Sequence, residues 1–271
     1  MNRLHLHQVM EVNNEAAALI VHKEYAQGMD KLQTGLRQLQ AHLVQMSQLS
    51  HGNSADDMCS DSLDTWMLFP AMDALHQDDN GCSSPTASFF VYRRPLVVPS
   101  LKIRSARANI ENSYATGEHT SLLVAMLFNY GLACHLSHID HEGRLNDGSR
   151  PDFDLLQRAS QMYDIAITNF RRLAASESTG SRTIVSSNIQ FFRAAMNNLA
   201  ICEQTRYILT ESHNESWPSG IPFNKGFERL RELLLRYPPG SNDETTLWGC
   251  YMSNILRVIN SFQPNYCAAA C

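Results

Sequence analysis

Three stretches of this chain repeat one spacing of bulky and small residues: Tyr25, Gly28, Leu32, Gly35 and Leu36; then Leu156, Ala159, Tyr163, Ala166 and Ile167; then Phe223, Gly226, Leu230, Leu233 and Leu234. Offsets of three and four put all five side chains of each copy on one face of a helix. The small residue lets a second helix approach closely, and the bulky ones fill the seam. Such a helix is built to pair. The chain is therefore expected to be all-α, an irregular stack of antiparallel helix pairs, an architecture commonly used as a binding scaffold.

The remaining periodicity fills in the partners. Residues 8–24 read as a helix on Val9, Val12, Ala16, Leu19 and Ile20, joined by a turn near Lys23 and Glu24 to a second helix over 25–46. Residues 119–138 are apolar nearly all round and predict a central, buried helix. Pro151 and Asp152 start a long helix running to about Ala175. Others are expected over 183–212, over 225–237 up to Pro238-Pro239-Gly240, and over 244–262, where Trp248, Tyr251, Ile255, Val258 and Ile259 share a face.

Two regions break the helical pattern. Residues 50–85 carry many aspartates and no lysine or arginine, and end in the turn-rich DDNGCSSPT. They predict an acidic, partly disordered insertion, with Trp66, Met67, Leu68 and Phe69 as an apolar island that either tucks onto the core or docks elsewhere. The sequence SFFVYRRPLVVP then gives a short β-like insertion near 88–99. Phe89–Tyr92 and Leu96–Val98 favour extended backbone, Pro95 and Pro99 forbid a helix, and the two pieces are expected to form an edge pair. Residues 105–115 read as one or two helical turns, and 263–271 as a loose tail.

At 271 residues and 44% hydrophobic composition, the chain can bury a sizeable core. It is expected to form a single helical domain over 1–271. The formal charge of −5 and a pI near 6.1 argue against a phosphate-binding surface. Arg93, Arg94, Lys102, Arg104 and Arg107 do cluster, and read as a solvated loop and helix start; no nucleic-acid partner is expected. The N-terminus lacks the apolar core of a signal peptide, and no run is expected to reach the ~18 apolar residues of a membrane span. Seven scattered cysteines without a CxxC pair suit reduced thiols in a cytoplasmic or nuclear protein. The sequon at Asn214-Glu215-Ser216 is a single match of a common pattern.

In three of the expected first helices an asparagine stands two residues before a small residue: Asn14 with Ala16, Asn129 with Gly131, Asn198 with Ala200. With "FNYGLA", "NNLA" and "ASQMYDIAI", these pairs resemble the two helices of a tetratricopeptide repeat, over roughly 8–46 and 119–237. The resemblance implies an α-solenoid with a groove along its first helices that takes a protein or peptide segment. The family repeats at ~34 residues, whereas Ala16, Gly131 and Ala200 lie much further apart, so later units carry extended loops and helix ends. Some members clamp an acidic C-terminal tail with asparagines and lysines. Here residues 108–143 contain no lysine or arginine, and only Arg193 and Arg206 flank the third motif, so that clamp is disfavoured. Asn14, Asn129, Asn198 and Arg193 are the candidate partner-binding residues. The asparagines either bond a partner's backbone or bond backbone and neighbouring helices within the groove.

Catalysis finds little footing. No nucleophile elbow, phosphate loop or zinc-protease motif is present, and no cofactor is expected. His135, His138 and His141, with Cys134 and Asp140 among them, are the one constellation for the alternative of a metal-binding or enzymatic protein. Steps of three place two imidazoles near one face while the third drifts off, short of a full ligand set. His5 and His7 are weaker still.

Overall fold

A computed structural model describes residues 3–50, 69–70, 89–98, 111–142, 153–176, 184–211 and 225–261. Among these the protein is mainly helical. The helices are α1 (Arg3–Val21), α2 (Tyr25–Ser50), α3 (Glu111–Glu142), α4 (Phe153–Ser176), α5 (Ile184–Glu211), α6 (Lys225–Arg236) and α7 (Asn242–Ser261). Two strands of two residues each, β1 (Phe69–Pro70) and β2 (Leu96–Val97), pair antiparallel, Phe69 opposite Val97 and Pro70 opposite Leu96.

Each helix packs on the next in sequence, and α1 also touches α3. The notched face drives this. Leu156, Ala159, Tyr163 and Ala166 of α4 are wholly buried, as are Leu32 of α2 and Leu230 and Leu234 of α6. A Cβ added at Gly28 would stand 3.3 Å from Ile20 and 3.5 Å from the Ala16 carbonyl of α1. At Gly131 of α3 it would meet the Tyr163 ring at 3.1 Å and the Ala159 carbonyl at 3.2 Å. Both are tight approaches, so glycine sets the helix spacing at these two seams. Gly226 is buried as well.

The ends of the helices follow from local chemistry. Lys23 adopts φ of 63°, and the N–H groups of Lys23 and Glu24 reach back to the Ile20 and Leu19 carbonyls, closing α1 with a left-handed residue before α2 begins. Ser241 caps α7 by accepting the Glu244 N–H, while the Glu244 carboxylate accepts the Gly240 N–H at 2.8 Å. This is a capping box displaced by one residue.

Helix α3 runs further at both ends than its apolar core suggests, taking in 111–118 and 139–142. Residues 119–142 are, by length and composition, apolar enough to cross a membrane, against the sequence expectation. However, 78% of the most apolar stretch is buried inside the protein, where Leu122, Met126, Phe128 and Leu132 form its centre. The two extended pieces of 89–98 also differ from expectation. They do not pair with each other; β2 pairs with β1, and the whole segment lies along α1, α3, α5 and α7. Three-residue separation by Arg93, Arg94 and Pro95 carries the chain onward rather than back. Most of the acidic insertion, including Trp66–Leu68, and the tail 263–271 lie outside the described residues, as do Lys102, Arg104, Arg107 and Asn214.

Candidate functional site

The site is a row of asparagines on alternate helices. Asparagine is a poor helix former, because its amide competes for backbone. Here the amides satisfy a different backbone. Asn254 of α7 accepts the Phe90 N–H at 2.8 Å and donates to the Phe90 carbonyl at 2.7 Å. Asn198 of α5 does the same for Tyr92, at 2.9 Å for each bond. Asn129 of α3 takes Leu96, at 2.7 and 2.8 Å. Asn14 of α1 takes Val98, at 2.9 and 2.8 Å. Each amide thus fills both hydrogen-bonding positions of one residue, as a neighbouring strand would.

A second tier holds the first. Asn13 donates to the Leu96 carbonyl at 3.1 Å and accepts from Asn129 at 3.0 Å. Asn197 donates to the Phe90 carbonyl at 3.0 Å and accepts from Asn254 at 2.8 Å. The wiring therefore occurs twice. The doublet Asn13-Asn14 with Asn129 reads Leu96 and Val98; the doublet Asn197-Asn198 with Asn254 reads Phe90 and Tyr92. Asn13, Asn129, Asn197, Asn198 and Asn254 are almost fully buried. Pro95, which has no N–H, falls between the two half-sites where no amide reads the chain.

Side chains lock the segment in place. The Phe90 ring meets Tyr251 edge-on at 5.7 Å, Tyr92 meets Phe128 at 6.3 Å, and Phe89 stacks on Phe227 at 6.0 Å. Val91, Tyr92, Leu96 and Val98 are buried, whereas Arg93 points to solvent. Burial pushes the Tyr92 hydroxyl up to about 12, with Arg94 offsetting part of the shift.

The candidate residues sort accordingly. Asn14, Asn129 and Asn198 come together in this row, and what they hold is the chain's own backbone. Asn13, Asn197 and Asn254 went unread in the sequence, although the two Asn-Asn doublets inside helices were a visible anomaly. Arg193 lies one turn before Asn197 but is 1% exposed. Its guanidinium donates to the Tyr237 carbonyl just past α6 and stands 3.8 Å from the Glu244 carboxylate. It is committed to joining α5, α6 and α7, since helix ends leave carbonyls in need of donors. Burial would raise the Glu244 carboxyl, but the Gly240 N–H, Gln190 and Arg193 together outweigh it and hold it below the usual range.

The histidines do not converge. His135 and His138 are buried and His141 is exposed. His135 packs on Tyr163 at 6.2 Å between ring centres, and burial, helped by His138 and Arg93, drives it down to about 3. It is a neutral core imidazole at physiological pH. His138 stands 4.0 Å from Glu142, and His7 stands 3.3 Å from Glu11 on the exposed face of α1. Among the described residues no three His, Cys, Asp or Glu side chains gather as a metal requires. Cys134 and Cys202 are buried thiols, Cys134 with its Sγ 3.3 Å from the Met29 Sδ and Cys202 pushed well up by burial. Comparison of the chain with protein-family models, with curated proteins and with solved structures gave no match.

Proposed function

We propose that this protein is a non-catalytic binding scaffold, a divergent tetratricopeptide-like stack, whose first-helix groove takes an extended segment of another protein. The observation that carries this reading is the doubled amide wiring: four asparagines each take the N–H and C=O of a single residue. A groove that reads backbone accepts any extended chain with acceptable side chains, while pockets between helices select those side chains. The consecutive pairing of notched helices, with an asparagine two residues before a small residue on α1, α3 and α5, supports the family reading.

The test is peptide display. The full chain carrying Tyr92→Ser and Leu96→Ser, which weaken the resident segment, is panned against random twelve-residue peptides. Enriched sequences are expected to show two apolar pairs in the spacing of Phe90/Tyr92 and Leu96/Val98. Their binding should disappear when Asn129 and Asn198 are both changed to Asp. Failure to enrich, or enrichment indifferent to those asparagines, counts against the groove.

A further inference from the structure

The groove is already filled, and by a segment that meets it mainly through its own backbone and four apolar anchors. The amides that grip it are side chains of α1, α3, α5 and α7, so the segment supplies little that another extended chain lacks. Among the described residues, only 96 and 97 also pair with a strand, the two-residue β1. The read positions are the alternate residues 90 and 92, then 96 and 98. Extended backbone presents alternate residues to one side, so a ligand must repeat that interval. At the four read positions it must be other than proline, because each supplies an N–H.

We infer that residues 89–98 are a resident pseudo-ligand that keeps the groove closed, and that the groove's partner is an extended protein segment with large apolar side chains matching Phe90, Tyr92, Leu96 and Val98. This rests on the peptide-groove reading above and adds its regulation. A tethered segment competes at an effective concentration of roughly millimolar. A peptide that binds an empty groove at about 1 µM should then bind the filled one only at about 1 mM, a loss of about a thousandfold. A partner gains entry by outnumbering the resident or by arriving beside it with a second contact.

The probe is a labelled synthetic peptide, SFFVYRRPLVVP, the sequence of residues 88–99. Its affinity is measured for the full wild-type chain and for the Tyr92→Ser/Leu96→Ser chain, with circular dichroism as the check on folding. Binding at least about a hundredfold tighter to the weakened chain, and lost with Asn129→Asp/Asn198→Asp, is the expected result. Equal affinity for both chains overturns the closure and leaves the groove reading intact. No binding to a folded, weakened chain removes the groove reading and the inference together. Hydrogen exchange on the wild-type chain gives a second measurement that does not depend on the variant folding. Millimolar peptide should deprotect the chain's own amides at Phe90, Tyr92, Leu96 and Val98 while α3 and α5 stay protected. Protection that persists, or that fails only together with the helices, overturns the inference.

Discussion

The half-site on α1 and α3 and the half-site on α5 and α7 share one hydrogen-bond scheme and differ in everything it surrounds. The first holds aliphatic Leu96 and Val98, with β1 on the outer edge of the segment. The second holds aromatic Phe90 and Tyr92 against Tyr251 and Phe128. Where two sites keep the amides and change the side chains, the amides set position and direction, and the side chains set identity. The contrast also separates the residues within each scheme. The second asparagine of each doublet, Asn14 or Asn198, serves its residue alone. The lone asparagine two helices further on, Asn129 or Asn254, shares a carbonyl with the first asparagine of the doublet.

That difference predicts the largest single effect. Asn198→Leu leaves the Tyr92 N–H and C=O without partners and removes the donor to the Tyr163 hydroxyl. Three buried groups at about 1–3 kcal/mol each imply a loss of about 5 kcal/mol. Denaturant unfolding at neutral pH measures it, and a loss under about 2 kcal/mol would mean the segment rearranges to find other partners.

Asn129→Leu and Asn254→Leu should each cost about 3 kcal/mol, because the shared carbonyl keeps its second donor and only one N–H and one amide oxygen are orphaned. Near equality of these two losses supports equivalent wiring in the half-sites. A difference beyond about 1.5 kcal/mol would break the equivalence.

Alkaline pH distinguishes the half-sites chemically, since only the aromatic one holds a titrating residue. Tyr92 ionises near 10 in the unfolded chain and near 12 in the folded one. Between these values the folded state keeps a proton that the unfolded state has lost. Stability therefore falls as pH rises through that window, by about 2 kcal/mol from this residue. Tyr163 and Tyr251 are also raised by burial and contribute in the same direction. Unfolding of wild type and Tyr92→Phe at pH 9 and pH 11.5 isolates the one residue: the variant should lose less stability on going to the higher pH. Parallel losses would place the Tyr92 hydroxyl in water.

The helices were legible because their cause is local. Leu156, Ala159, Tyr163 and Ala166 declare a buried face within four turns of one another, and α4 was placed to within a residue or two at each end. Asn14, Asn129 and Asn198 stood out by the same reasoning, as polar residues beside notches. What they bind was not legible. The pairing of Asn254 with Phe90, or of Asn14 with Val98, joins positions far apart in sequence and leaves no periodic trace. Of the two pieces read as extended from Pro95 and its β-branched and aromatic neighbours, the second forms a strand at Leu96–Val97. The expected pairing of the two with each other failed because extended propensity says nothing about which hydrogen-bonding edge, strand or amide row, will satisfy it.

The smallest expected effect is the most discriminating test of burial against wiring. Asn14 makes the same two bonds as Asn198 but sits at the open end of the row, only half-buried, with its bonds to Val98 partly reached by water. When Asn14→Leu breaks them, water can replace what the amide supplied, and the loss should be about 1 kcal/mol. If wiring alone set the energy, Asn14→Leu would match Asn198→Leu. A ratio near one in five instead assigns the difference to desolvation, and it would make the Val98 end the place where the segment first lifts from the groove. Hydrogen exchange sharpens this: in the wild-type chain the Val98 amide should exchange before that of Tyr92, and the reverse order would put the weak end at the aromatic half-site.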